Sequence, residues 1–267
     1  MVGNLLRINR EKRPLVHCIT NHVTSNDCAN LLLASGASPI MAEAPEETAE
    51  VTAGCAALVL NLGTPSAGKI EAMLRAGEAA NRLGHPVVFD PVGVGGSSFR
   101  REAARRLMER VQMAVIRGNA SEIDALYRHA ATSGGVDNPS DTTEASVAAA
   151  IGCARASGAV VMLTGNVDVV TDGVATYLCR NGDAMMKAVT GAGCMLSALT
   201  GALAGACPEQ PLEAALAAVC AMGVCGERAR RRLSPLDGNA SYRNHIIDAM
   251  YRLTGEALDV EARYEIY

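Results

Sequence analysis

The chain has 267 residues, which is enough for one large domain or two small ones around a sizeable core. Hydrophobic residues make up 49% of it, with no tryptophan and two phenylalanines, so its apolar mass is aliphatic, as in helices packed on a parallel sheet. The net charge of −4 argues against a nucleic-acid-binding surface, because phosphate backbones attract a basic field.

Cysteine usage and hydropathy indicate a reducing, aqueous compartment. The nine cysteines include no Cys-x-x-Cys pair and lie mostly in apolar stretches. The first twelve residues are too polar for a secretory signal. The longest apolar run, residues 194–207, is too short to cross a bilayer. We therefore expect a cytoplasmic protein with no membrane association.

Short β-rich runs alternate with helical runs along the first 164 residues. Strands are predicted at residues 15–19, 57–61, 86–90, 113–117 and 159–163. Helices are predicted at residues 26–35, 67–83, 101–110, 121–130 and 144–156, with a polar loop or lid at residues 133–143. Such alternation is typical of parallel strands joined by right-handed crossovers.

The pattern changes after Thr164. Residues 167–170 and 175–179 are predicted to form a hairpin, and Asn181-Gly182 a second tight turn. Residues 194–253 are predicted to be helical, with breaks at Cys207-Pro208 and Ser234-Pro235. We predict a single α/β domain over residues 1–267, with its ligand site at the carboxyl ends of the strands.

Three charged residues follow predicted strands at that edge. Asp90 precedes a glycine-rich segment, which suits a magnesium ion or, equally, an aspartate that caps a turn. Arg117 ends the next strand and has the forked donors that grip phosphate. Glu122 lies in the first turn of the following helix, where capping is the alternative role. Because Asp90 and Glu122 belong to successive units, we expect both to serve one Mg²⁺.

The segment Thr190-Gly191-Ala192-Gly193-Cys194 is the strongest candidate for phosphate chemistry. A strand is predicted to turn there, through two glycines, into a long helix whose amino end attracts anions. The residues Gly193, Ser197, Gly201 and Gly205 then recur every four positions, which predicts close packing of that helix. Cys194 lies in its first turn, where the helix dipole is expected to lower the thiol pKa.

Two further motifs are weaker. Residues 63–70 resemble a phosphate-binding P-loop, but Ile70 stands where Ser or Thr must ligate magnesium, so we reject this interpretation. His17 and His22 flank Thr20-Asn21, but no third metal ligand lies at a suitable spacing.

Seven ordered motifs, spread over nearly the whole chain, resemble the hydroxyethylthiazole kinase family of the ribokinase-like superfamily. They are VHCITN at 16–21, GASPIM at 36–41, NLGT at 61–64, DPVGVG at 90–95, RGNASEI at 117–123, LTG at 163–165 and TGAGCMLS at 190–197. The resemblance implies a three-layer ribokinase-like α/β fold with a mostly parallel central sheet and helices on both faces. It also implies ATP-dependent phosphorylation of the alcohol of 4-methyl-5-(2-hydroxyethyl)thiazole, for thiamine salvage.

The resemblance assigns roles to individual positions. It implies that Met41, Gly191 and Asn21 contact the substrate, and that Arg117 and Thr164 contact ATP. The resemblance also implies that Asp90 and Glu122 organise Mg²⁺ around the ATP phosphates. Related sugar kinases carry an aspartate at the position of Cys194, where it takes the proton of the attacking hydroxyl, so Cys194 is the implied catalytic residue. Members of the family are similar in forming homotrimers with substrate sites at subunit interfaces.

Two other functions remain open at this point. One is a kinase for a different alcohol, such as the hydroxymethylpyrimidine of the same pathway. The other is a trimeric ligand-binding protein without turnover, although such a sensor has no need of the magnesium and phosphate groups at Asp90, Glu122 and Arg117. Release of ADP from a mixture with MgATP and the thiazole alcohol distinguishes these possibilities.

Overall fold

A computed structural model describes residues 2–128 and 142–267 of the chain. The described strands are β1 (Leu15–Ile19), β2 (Ser38–Ile40), β3 (Ala57–Asn61), β4 (Val87–Asp90), β5 (Val115–Asn119), β6 (Val160–Thr164), β7 (Asp168–Thr171), β8 (Thr176–Cys179) and β9 (Tyr264–Ile266). They form one sheet in the order β2-β1-β3-β4-β5-β6-β7-β8-β9. Strands β1 to β6 run parallel, whereas β7, β8 and β9 pair antiparallel.

Helices cover both faces of this sheet. One layer consists of α1 (Val2–Lys12), α2 (Ser25–Ser35), α8 (Ala192–Ala206), α9 (Pro211–Arg232), α10 (Asn239–Arg252) and α11 (Gly255–Glu261). The other contains α4 (Ala67–Leu83), α5 (Ser98–Arg110), α6 (Ala120–Arg128) and α7 (Glu144–Ser157), with α3 (Thr48–Ala53) packed on α4. The predicted three-layer α/β fold with a mostly parallel sheet is confirmed.

Each face of the sheet has its own hydrophobic core because neighbouring strand residues point in opposite directions. On β3, Val59 joins the core under α8, whereas Leu58 and Leu60 join the core under α4. All five residues of β3 are buried. This burial on both sides explains why the parallel strands are continuous apolar runs in the sequence.

Helix α8 packs across β1, β3 and β4, and its small residues allow a close approach. A Cβ atom on Gly201 would lie 2.4 Å from Val59 Cγ2, and one on Gly205 would lie 3.0 Å from Ala57 Cβ. The predicted close packing of this helix is therefore confirmed, with the sheet as its partner. The contact fixes the amino end of α8 above the carboxyl ends of the strands.

Several predicted boundaries were wrong. Strand β5 begins and ends two residues later than predicted, and α5 begins three residues earlier because Ser97 caps it by accepting from Arg100 N. The second tight turn predicted at Asn181-Gly182 is absent: no turn forms at these two residues, and β8 pairs with β9 from the end of the chain. No strand precedes the glycine turn, since residues Ala184–Ala188 form a 3-10 helix.

Sequence reasoning missed α1, α3, α11 and the short edge strands β2 and β9. Helix α1 had a detectable signal, because its buried residues Val2, Leu5, Leu6 and Asn9 recur at helical spacing. Strand β9 had none, since it has three residues and all are exposed. Most of the loop predicted at 133–143, and the end of the helix predicted to 130, lie outside the described residues. None of the described helices is both long and apolar enough to cross a membrane.

Candidate active site

Asp90 is the last residue of β4 and is fully buried at the carboxyl edge of the sheet. Its Oδ2 accepts hydrogen bonds from Asn61 Nδ2 and from Ser197 Oγ, each at 2.8 Å. Its Oδ1 has no hydrogen-bond partner among the described residues and lies 3.7 Å from Arg117 Nη1. Burial raises the pKa of Asp90, and the charge of Arg117 and the two donors only partly oppose this shift. One carboxylate oxygen is thus held and the other is left unsatisfied.

Glu122 lies in the first turn of α6 and joins two loops at the same edge. Its Oε1 accepts from Gly93 N at 2.8 Å, and its Oε2 accepts from Asn119 N at 2.9 Å, while Asn119 Oδ1 accepts from Glu122 N. The capping alternative is therefore real, since this exchange is a capping box. Burial, followed by the nearby charge of Asp90, raises the pKa of Glu122 to about 7. That electrostatic coupling agrees with the expectation that the two carboxylates share one edge.

The Arg117 side chain spans from β5 to the start of α8. Its Nη2 donates to Thr164 Oγ1 at 2.7 Å, and the Thr164 hydroxyl donates to Gly118 O at 3.4 Å. A Cβ atom on Gly193 would lie only 2.2 Å from Arg117 Nη1. Glycine at 193 is therefore required for the guanidinium to lie against the amino end of α8. The structure brings Arg117, Thr164 and Asp90 together at the carboxyl edge of the sheet.

Gly191 lies immediately before α8 in the left-handed conformation, with φ of 84°. A side chain there is excluded twice, because φ is positive and because a Cβ atom would lie 2.3 Å from Thr24 Cγ2. The chain can thus turn into α8 directly beside the start of α2. This contact places Gly191 against Thr24, the residue that precedes α2.

Cys194 is partly exposed in the first turn of α8, while the other eight cysteines are buried and all nine are free. Its Sγ accepts from Asn21 Nδ2 at 3.2 Å and from Asn61 Nδ2 at 3.3 Å. Burial and the charge of Asp90 raise the pKa of the thiol, against the opposing effects of Thr24, Arg117 and Asn21. The expected lowering of this pKa was wrong, because burial of the thiol and the nearby carboxylate of Asp90 raise it.

A cavity of about 230 Å³ opens beside these groups, at the ends of β1 and β2. Its lining residues are Cys18, Thr20, His22, Ser25, Met41, Ala42 and Glu43. Met41 lies in this lining, and Asn21 lies between two lining residues with its side chain turned to Cys194. The cavity has the size of a small aromatic ring with substituents, the class of ligand that the resemblance implies.

The rejected motifs have structural roles. His17 is buried with Nδ1 bonded to Thr52 Oγ1 and Nε2 bonded to Ala42 O, at 2.9 and 2.8 Å, so it is no free metal ligand. Lys69 is also buried; its ammonium donates to Thr20 O and forms an ion pair with Glu43 at 3.1 Å. This lysine supports the loops around the cavity and is not placed as in a P-loop.

The carboxylate oxygens at the carboxyl ends of the strands are suitable ligands for Mg²⁺ in the way that kinases bind it. Within residues 2–128 and 142–267, no cluster of three or more His, Cys, Asp or Glu side chains forms a complete metal cage. Mg²⁺ does not need one, because it commonly takes one or two carboxylates and completes its shell with water and substrate phosphates. The unsatisfied buried Oδ1 of Asp90, close to Glu122, fits that requirement.

The raised pKa of Glu122 predicts a pH dependence of stability. Between an unfolded pKa near 4.5 and a folded pKa of about 7, the folded protein holds a proton that the unfolded chain has lost. The free energy of unfolding of the metal-free protein should therefore fall as pH rises from about 5 to 7, by on the order of 2 kcal/mol. Urea denaturation at several pH values with a chelator measures this slope.

The variant Glu122→Gln isolates the contribution of this group. Its amide leaves one of the two backbone N–H groups unpaired, which lowers stability at every pH, but it should make the slope shallower. Asp90 and Asp168 also have raised pKa values and retain part of the slope in the variant. An unchanged slope would show that Glu122 does not titrate in this range.

Sequence reasoning did not identify Asn61, Ser197 or Thr24 as parts of the site. Asn61 was detectable, because it ends the strand next to β4 and pairs in register with Asp90. Ser197 was detectable as the residue one helical turn after Gly193. Thr24 carried no signal, since its contact with Gly191 depends on how α2 and α8 pack.

Comparison with known proteins identifies the family. The hydroxyethylthiazole kinase family model matches residues 6–256. The hydroxyethylthiazole kinase of Clostridium acetobutylicum is 50% identical over 273 residues, covering 100% of both chains. The solved structure of the hydroxyethylthiazole kinase from Pyrococcus horikoshii has a TM-score of 0.89 and 37% identity over 100% of this chain and 98% of that one.

A more distant likeness shows the fold alone. The pyridoxal kinase of Staphylococcus aureus, solved in complex with ADP, has a TM-score of 0.64 at 15% identity and covers 95% of this chain and 97% of that one. Together with the full-length match above, it confirms the predicted ribokinase-like fold. The extent of the family match and the identity of its full-length relatives establish that this chain belongs to the hydroxyethylthiazole kinase family.

Proposed function

We propose that this protein transfers the γ-phosphoryl group of ATP to the hydroxyl of 4-methyl-5-(2-hydroxyethyl)thiazole, giving the thiazole phosphate used in thiamine biosynthesis. Family membership supports the reaction. The observation that carries it is the unsatisfied carboxylate oxygen of Asp90, buried beside Arg117 at the amino end of α8. A phosphoryl-transfer site needs this combination of an anion-attracting helix end, a guanidinium and a metal-binding carboxylate.

Each predicted site residue has a place in this proposal. Met41, Gly191 and Asn21 contact the thiazole alcohol, in and beside the cavity at the ends of β1 and β2. Arg117 and Thr164, which are hydrogen-bonded to each other, contact ATP. Asp90 and Glu122 hold Mg²⁺, which when bound supplies positive charge to the phosphate oxygens.

The alcohol oxygen attacks the γ-phosphorus, the bond to the bridging oxygen breaks, and ADP leaves with the electron pair. The alcohol loses one proton as the new P–O bond forms. Cys194 orients this hydroxyl or accepts its proton. The raised pKa of the thiol opposes the second role, and positive charge bound at Asp90 would offset that effect, because Asp90 is the second cause of the shift.

We also infer a cytoplasmic homotrimer with its substrate sites at the subunit interfaces. The cavity that contains Met41 is lined in part by His22 and Ser25, and Val23, between them in the chain, is an apolar residue that is 64% exposed. Apolar side chains next to a ligand cavity are suitable for burial against another subunit. The molar mass in solution, measured by light scattering, tests the trimer.

The function is tested by following ADP release from the purified protein with MgATP and the thiazole alcohol. We expect release that requires all three components and an equal amount of phosphorylated thiazole. Release with a hydroxymethylpyrimidine, but none with the thiazole, would overturn the substrate assignment. Tight binding of the thiazole without ADP release would instead favour a non-catalytic binding protein.

A further inference from the structure

The Asn61 side chain connects the candidate metal carboxylate to the candidate catalytic thiol. It ends β3, is 1% exposed, and uses both amide hydrogens and both lone pairs of its carbonyl oxygen. Its Nδ2 donates to Asp90 Oδ2 at 2.8 Å and to Cys194 Sγ at 3.3 Å. Its Oδ1 accepts from Gly63 N at 2.9 Å and from Asn21 Nδ2 at 3.0 Å. No hydrogen-bonding capacity of this side chain remains for substrate.

The hydrogen-bonding capacity of the Asn21 side chain is also fully used, so its proposed contact with the thiazole alcohol is a packing contact and not a hydrogen bond. Its Nδ2 donates to Cys194 Sγ and to Asn61 Oδ1, and its Oδ1 accepts from the backbone N and the hydroxyl of Thr24, both at 3.1 Å. Asn21 and Asn61 therefore form a hydrogen-bonded pair, and each contributes one N–H to the same sulfur atom.

The orientation of both amides follows from groups that can only donate. The backbone N–H of Gly63 faces one side of the Asn61 amide, so the oxygen must lie there and the nitrogen must face Asp90 and Cys194. The backbone N–H of Thr24 fixes Asn21 in the same way. Rotating either amide by 180° would bring two donors together. The sulfur of Cys194 is thus an obligatory acceptor from both sides.

This arrangement restricts what the sulfur can do. A thiol has two lone pairs and one hydrogen, and the two amides occupy the lone pairs. In the thiol the remaining direction holds its own hydrogen, and in the thiolate a third lone pair in that direction can accept the hydrogen of an alcohol. The hydroxyl of Thr24 also lies close enough to lower the pKa of Cys194, and Thr24 contacts Gly191. The neighbours that set the free direction thus include Asn21, a proposed substrate contact, and Thr24, which packs on another, Gly191.

We propose that Asn61 is a positioning residue for phosphoryl transfer: its amide fixes the sulfur of Cys194 relative to the carboxylate of Asp90, so that the sulfur presents a single direction to the substrate alcohol, and the effect of Asn61 on turnover passes through Cys194. The kinetic test of this positioning role rests on the proposed function, because it measures turnover of the thiazole alcohol. Because Asn61 would act on geometry and not on binding, its loss should affect kcat more than KM.

The test is a double-mutant cycle with Asn61→Ala and Cys194→Ala. In the otherwise unchanged protein, Asn61→Ala should lower kcat by about tenfold or more and change KM for the alcohol by less than about threefold. In the Cys194→Ala background the same change should lower kcat by less than about threefold. An equal loss in both backgrounds would overturn the proposal, because Asn61 would then act without Cys194.

A structural arm does not depend on turnover. A crystal structure of Asn61→Ala should show the Cys194 side chain displaced or in two rotamers, whereas a Cys194 side chain in its original single rotamer would overturn the proposal. If the thiazole alcohol is not a substrate, the crystal structure still shows whether Asn61 positions Cys194. Failure of the proposed function and failure of the proposed positioning role are therefore distinguishable.

Two further variants guard against a purely structural effect. Asn9→Ala is the matched control, because Asn9 is a buried asparagine that donates to Ser35 O at 2.9 Å, next to the amino ends of β1 and β2. It should lower the melting temperature and leave kcat unchanged. Asn61→Ser is the milder replacement should Asn61→Ala fail to fold, because its hydroxyl can accept from Gly63 N but cannot reach the sulfur. It should reproduce the loss of kcat, and wild-type kcat in this variant would contradict the proposal.

Discussion

Replacement of Cys194 by alanine should lower kcat by about 10²- to 10³-fold with little change in KM for the alcohol, because a proton acceptor or hydroxyl-orienting group contributes on this scale. The thiol lies between the donors Asn21 and Asn61 in the first turn of α8 and is too small to carry much of the ring contact. Steady-state kinetics of the purified variant measure the effect.

The variant Cys194→Asp separates proton transfer from packing. A carboxylate can accept the same two amide N–H groups and take the proton of the alcohol, so this variant should stay active. A correctly folded but inert Cys194→Asp protein would count against proton transfer, and wild-type turnover in Cys194→Ala would remove the thiol from catalysis. Cys153→Ala, a buried cysteine of α7 in the opposite core, is the matched control and should leave kcat unchanged.

The second large effect is expected at Asp90. Asp90→Asn keeps an oxygen that can accept from Asn61 and Ser197, so the fold should persist. It removes the negative charge proposed to bind Mg²⁺ and leaves Arg117 without its carboxylate partner. We expect kcat to fall by at least about 10²-fold, with activity partly recovered at higher Mg²⁺ concentration.

Two measurements check the role of Asp90. Turnover is titrated with Mg²⁺ for both proteins, and Mg²⁺ binding in the presence of ADP is measured by calorimetry, which does not depend on turnover. Unchanged Mg²⁺ affinity in Asp90→Asn would show that the metal is held elsewhere. Asp259→Asn serves as the control, because this partly buried aspartate of α11 accepts from Gly3 N at 2.9 Å and lies outside the site.

Much of the fold was predictable from local patterns. Helix α4 has the boundaries expected from its apolar periodicity, and β1 and β3 match the predicted apolar runs because both faces of these strands are buried. Patterns of this kind fail for short or exposed elements. Strand β9 has no buried side chain. Asn181 is of a residue type common in turns, but its Oδ1 accepts a hydrogen bond from Arg263 N at 2.6 Å and so connects the segment after β8 to the end of the chain.

The sequence predicted which residues lie at the candidate site better than it predicted their pKa values. Asp90, Arg117 and Thr164 lie together, since carboxyl ends of neighbouring parallel strands must meet at one edge. Their roles toward ATP, Mg²⁺ and the alcohol stay predictions. The pKa of Cys194 was wrongly expected to fall, because the local helix dipole was weighed without the burial and the Asp90 charge that the fold adds.

By itself, the sequence determined the order of the longer strands and helices, the edge of the sheet where chemistry is possible, and the family, because each depends on residues that are close in the chain or on ordered motifs. Only the tertiary structure decided that Asn21 and Asn61, which are 173 and 133 positions from Cys194, both donate to its sulfur. It also decided that one oxygen of Asp90 is held while the other is unsatisfied. Desolvation and hydrogen-bond saturation depend on every group packed around an atom. A local pattern of residues does not show which groups from distant parts of the chain these are.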